Sequence, residues 1–139
     1  MKLKRILLPL LLVLAFIALA VVGTRAKRPA QAKEIACADP LQGCVFTHRG
    51  RPAQLRFSSH PTPLQPFRME VHAPSAKHAS AEMQMVGMDM GFNRYDLHEV
   101  GPGIFNAQIT LPVCVSGRRD WKLYLEIDSQ RYVVPFKSQ

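Results

Sequence analysis

The sequence predicts an all-β fold, a small antiparallel β-sandwich of seven to eight short strands, behind one N-terminal transmembrane helix. Three observations predict it. Ile6 to Val22 is an apolar run broken only by Pro9, and short segments after Gly43 alternate apolar with polar residues. Turn signals also recur about every eight to twelve residues, as in a sandwich. A chain of 139 residues has room for one domain, because two would each be too small to bury a core.

Residues 1–5 form a basic n-region. Residues 6–23 follow as the anchor segment, whose apolar run from Ile6 to Val22 spans about 26 Å if helical, near the lower limit for a bilayer core. It fits an uncleaved anchor or a long signal peptide. The small residues Ala18-Leu-Ala20 resemble a cleavage site but lie inside the run, which favours the anchor. Residues 24–36, with Pro29 and Lys33, read as a tether, and residues 37–139 as the folded domain beyond the membrane.

Within that domain, Val45–Thr47 and Gln54–Ser58 are short strand candidates, followed by a proline-rich turn from His60 to Pro66. Phe67, Met69 and Val71 then alternate with Arg68, Glu70 and His72, the period of two of a half-buried strand. Ala81, Met83 and Met85 repeat the pattern, as do Phe105, Ala107, Ile109 and Leu111. Trp121, Leu123, Leu125 and Ile127 make another apolar face, and Tyr132, Val134 and Phe136 close the chain after a turn at Asp128.

The net charge of +8 suggests nucleic acid until it is divided by position. Six of the 18 basic residues precede Pro29, leaving twelve against ten acidic residues in the remainder. No basic helix interleaved with aromatics follows residue 28, so nucleic acid is set aside. No catalytic motif is present either: G-x-S-x-G, H-E-x-x-H and a phosphate loop are all missing, and no carboxylate pair has a neighbouring base. The chain is not read as an enzyme.

Four of the six methionines, Met83, Met85, Met88 and Met90, fall within eight residues. A thioether is a soft, uncharged donor that selects Cu(I) and needs no deprotonation. Met83 and Met85 sit on the inward register of a strand, where methionine fills core gaps. Met88 and Met90 lie between Gly87 and Gly91, where strand packing no longer explains them. His78 and His98 flank this segment and are the better histidines to complete a metal site, ahead of His48, His60 and His72.

Cys37 and Cys44 enclose Pro40 and Gly43, which in an oxidising compartment reads most simply as a disulfide. Cys114 is then the odd thiol. It is first a buried residue, and otherwise a copper ligand or the true partner of Cys37 or Cys44, since three cysteines allow three single pairings.

The segment from Pro66 to Trp121 resembles a group of small bacterial membrane-anchored proteins near the FixH and YtkA-like families. The resemblance rests on the membrane span, Pro66-Phe67, the run from Gly87 to Arg94, Leu111-Pro-Val-Cys-Val115, Gly117 and Trp121. It implies a periplasmic immunoglobulin-like domain held at the inner membrane, with a Met-containing loop at one end. It also implies copper handling beside a respiratory haem-copper oxidase or a copper transporter, with Met88 and Met90, and then Met85, as ligands. Two readings follow: a copper-binding accessory module, or an interaction subunit without metal whose Met loop docks a membrane complex.

Overall fold

The computed structural model describes residues 11–18, 31–88, 91, 93–113 and 116–139, in two compact units, Met1–Ala30 and Gln31–Gln139. In the first unit residues 11–18 are helical. The rest of the expected membrane segment, residues 6–10 and 19–23, lies outside the described residues. Among the described residues no helix is long and apolar enough to cross a membrane.

The second unit is two five-stranded sheets. In chain order its strands are β1 (Lys33–Glu34), β2 (Cys44–His48), β3 (Arg51–Phe57), β4 (Phe67–His72) and β5 (Ala79–Met85), then β6 (Arg94–Asp96), β7 (His98–Gly101), β8 (Ile104–Ile109), β9 (Asp120–Ile127) and β10 (Gln130–Lys137). One sheet has the order β1-β10-β9-β5-β6 and the other β2-β3-β4-β8-β7. Every pairing is antiparallel except β1 with β10.

Alternation decides which side chains meet. Trp121, Leu123, Leu125 and Ile127 of β9 and Tyr132, Val134 and Phe136 of β10 point inward, as do Leu55, Phe57, Met69, Val71, Phe105 and Ile109 of the facing sheet. Ring contacts bridge the two layers, Phe57 to Phe136 at 5.5 Å and Phe46 to Tyr132 at 4.9 Å between centroids. Each fully buried Leu, Ile, Val or Phe contributes about 1.5–3 kcal/mol by leaving water. This burial drives the sheets together. On the outer face, Glu82 pairs with Arg131 at 2.9 Å, and that guanidinium lies 4.5 Å over the Tyr124 ring.

The ten strands exceed the seven or eight that the sequence predicts, and the additions share a cause. β1, β6 and β7 have two to four residues, too few to show a period of two. β1 also puts Lys33 and Glu34, within the segment read as a tether, beside Tyr132 and Val133, and buries Ile35 next to them. The folded unit therefore begins before Cys37.

The sandwich has two ends. At the hairpin end lie the turns Arg49-Gly50 and Asp128-Ser129, joined by an Arg49–Asp128 ion pair of 3.3 Å. The chain enters there, and β1 runs parallel to β10 toward the other end. That other end, the Met-loop end, gathers the loop closed by the Cys37–Cys44 disulfide, the connections 58–66, 86–93 and 110–119, and residues 138–139.

Candidate functional site

β5 carries Met83 and Met85 inward until its partner β9 begins at Asp120. Met83 is fully buried and Met85, opposite Trp121, is 4% exposed, so both thioethers belong to the core. The strand then stops being a strand. Val86 N–H donates to Asp120 O at 3.0 Å, and Met88 N–H reaches back to Met85 O at 3.4 Å, closing a four-residue turn. Gly87 occupies its third position at φ +76°, which a side chain rarely adopts, and a Cβ there would meet Arg118 Nη1 at 2.8 Å. The turn throws Met88 outward, where it is 38% exposed. Of the expected donors, Met90 lies outside the described residues, with Asp89 and Phe92.

The loop after β8 comes to the same end. Leu111 is buried and bridges to Pro63, Val113 is exposed, and Arg118 Nη1 donates to Val86 O at 3.1 Å. The stretch that carries Cys114 is thus tied to the Met loop by a hydrogen bond on its far side. Cys114 itself, like Val115, lies outside the described residues. Cys37 and Cys44 are joined, the first of the three possible pairings.

The structure does not bring His78 and His98 to this end. His78 precedes β5 and Met85 ends it, and seven residues of extended chain separate them by about 23 Å. Leu97 N–H donates to Ala79 O at 2.9 Å, so His98, the next residue, starts β7 close to the His78 end. The histidine that does lie at the Met-loop end is His60, in the proline-rich turn, exposed and lining one cleft with Val86. Sequence reasoning passed over it. The signal was available: β3, β4 and β5 reverse direction in turn, so the turn before β4 and the loop after β5 fall together, while the turn before β5 falls opposite.

Among the described residues no three His, Cys, Asp or Glu side chains gather as a metal site. The chemistry they offer at the Met-loop end is an exposed thioether on Met88 and an imidazole on His60, soft and borderline donors that fit Cu(I) better than a hard cation.

The hairpin end has a different electrostatic character. His48 is 3% exposed, and its Nδ1 lies 2.9 Å from the Tyr132 hydroxyl, which donates to Gln130 Oε1 at 2.9 Å. The network is satisfied by neutral His48 with the proton on Nδ1, which leaves Nε2 buried without a partner. Burial holds the His48 pKa below its usual value, and the Arg49 charge lowers it further against a smaller pull from Asp128. Burial also pushes on Asp128, upward, but the N–H groups of Lys77 and His78, each 3.0 Å from Oδ1, and the Arg49 guanidinium outweigh it and keep that carboxyl below the usual range.

No family model, curated protein or solved structure matches this chain.

Proposed function

We propose that this chain is a membrane-anchored periplasmic module, immunoglobulin-like and near the FixH and YtkA-like families, that binds Cu(I) through its Met loop. Its partner would be a haem-copper oxidase or a copper transporter at the bacterial inner membrane. The observation that carries the reading is the exposed Met88 thioether, held outside the core by a glycine turn while Met83 and Met85 are buried. Core packing accounts for two of the clustered methionines and leaves Met88 without a structural task. Met90, two residues on in the sequence, and Cys114 would supply further sulfur. The immunoglobulin-like reading draws support from two facing sheets and a short first strand parallel to the last. An exposed thioether donor suits a protein that passes its ion on. Copper bound there would be supplied in a form ready for ligand exchange, while the sandwich orients the loop.

The test is a Cu(I) competition titration of the full chain in lipid nanodiscs against a chromophoric chelator. Stoichiometric binding that weakens at least a hundredfold when Met88→Leu and Met90→Leu are combined supports the reading. Binding that is absent, or indifferent to both changes, removes it. The metal-free docking reading draws on a different observation, the exposed Leu64, Val86, Met88 and Val113 on three loops of this same end. Leucine keeps that apolar surface, so partner capture that survives the double change without copper binding favours docking.

A further inference from the structure

The outer edge of β10 is only half covered. β1 pairs beside Tyr132 and Val133, Ile35 N–H donates to Val133 O at 2.9 Å, and the chain then leaves the edge to form the disulfide loop. The phase of the β9–β10 hairpin fixes what remains. Ile127 and Gln130 close a two-residue turn, so every second residue of β10 bonds to β9 and the others, Arg131, Val133, Pro135 and Lys137, turn their backbone groups outward. Val133 is used by β1. Pro135 has a carbonyl but no N–H, and Lys137 keeps both. None of these three groups has a partner among the described residues.

The disulfide loop runs beside this open edge without closing on it. Between them lies a cleft of about 890 Å³, with Pro40 and Leu41 on one side, Pro135 on the other, and Phe57, Trp121 and Phe136 also lining it. Trp121 is 1% exposed and its indole N–H is buried with no acceptor. The cleft therefore combines an apolar lining, an unused donor, and backbone groups two residues apart on a strand edge. A compact apolar compound would use the first of these. Only another extended main chain, whose bonding groups repeat at the same spacing of about 7 Å, matches the edge as well.

We infer that this cleft binds an extended apolar peptide segment of a partner protein by strand addition to Pro135–Lys137. The segment's main chain bonds to the Pro135 carbonyl and the Lys137 N–H and carbonyl, and an apolar side chain packs against Phe57, Trp121 and Phe136. No sulfur of the Met loop takes part, although His60 and Val86 line the same cleft, so the test is made without copper and its failure leaves the copper titration of the Met loop standing.

Trp121 is the only tryptophan of the chain, and its emission reports on the cleft directly. The full chain in nanodiscs is titrated with capped hexapeptides alternating valine with threonine, leucine with serine, and phenylalanine with glutamine. At least one gives a saturable change in emission. Lys137→Pro, which removes an outward N–H and no backbone bond to β9, weakens that binding at least tenfold, while Lys137→Ala, which loses the same 3.7 Å ion pair with Asp120 but keeps the N–H, changes it less than twofold. Against the unaltered protein, N-methylation of the same peptide along one edge abolishes binding, which separates edge pairing from any misfolding of the proline variant. The inference is overturned if no peptide gives a saturable change, or if the N-methylated peptide binds as well as its parent.

Discussion

At the hairpin end the connections are short: two residues at Arg49-Gly50, Pro102-Gly103 and Asp128-Ser129, and six between β4 and β5. At the Met-loop end they run to nine residues after β3, eight after β5 and ten after β8. The short set is braced by side chains, with Asp128 accepting two backbone N–H groups and pairing with Arg49. Among the described residues, the long set carries the exposed Met88 thioether and the His60 imidazole. Tight reversals at one end fix the register of the strands, which leaves the opposite loops free to vary without unravelling the sheets.

The largest blow to this contrast is Asp128→Ala. It removes two charge-assisted hydrogen bonds and an ion pair, and should cost about 3 kcal/mol in urea unfolding. Trp121 emission of the folded state, and the Cu(I) affinity proposed for the Met loop, should stay unchanged, since Trp121 and Met88 lie at the other end. A variant that lost both without unfolding would show the ends to be coupled.

Reducing the disulfide, or changing Cys37→Ser with Cys44→Ser, tests the Met-loop end. Opening so short a loop costs about 2.5 kcal/mol by chain entropy. Unlike the first change, it should also shift Trp121 emission, because the loop walls the cleft that Trp121 lines. An unchanged emission would place the loop's role in the unfolded chain alone.

Acid should weaken the hairpin end. The folded His48 pKa lies below its unfolded value near 6.5, so the unfolded chain takes up the proton first. The stability that depends on neutral His48 is complete above about pH 6.5 and is lost as pH falls toward the folded pKa. Asp128 adds a second window: its folded pKa lies below 3.8, so its contribution holds above that value and fades as pH falls through the folded pKa. Chemical denaturation between pH 5 and 8 should lose its slope in His48→Phe, and persistence of the slope would assign it elsewhere.

The smallest expected effect is a gain. Asp128 and Ser129 both have positive φ, at 44° and 70°, a conformation that favours glycine at the second position of such a turn. Ser129→Gly should stabilise the protein by about 0.5–1 kcal/mol, read as a higher melting temperature with Trp121 emission unaltered.

Much of the fold was legible because alternation records burial directly. Met69, Val71, Leu123 and Leu125 were readable as core, and all are fully buried. β6 and β7 were not, because three or four residues at a sheet edge show no period and their pairing depends on neighbours far along the chain. The split between Met85 and Met88 was legible for the same reason, since it turns on where alternation stops at Gly87. The histidines were misplaced by proximity in sequence. His78 is seven residues from Met85 and His60 twenty-five, yet strand direction sends the first to the far end and returns the second.

The parallel strand β1 has a mechanical meaning as well. A pull on residue 31 directed out of the hairpin end loads the few bonds beside Tyr132 and Val133 along the strand axis, in shear. Those give way first and release residues 33–36, about 14 Å of slack at full extension. The covalent link from Cys37 to Cys44 then halts the release, passing the force straight to β2 and sparing the eight residues of the loop. The chain thus enters the domain through a short segment that yields under load before β2 does, at the expense of the buried Ile35.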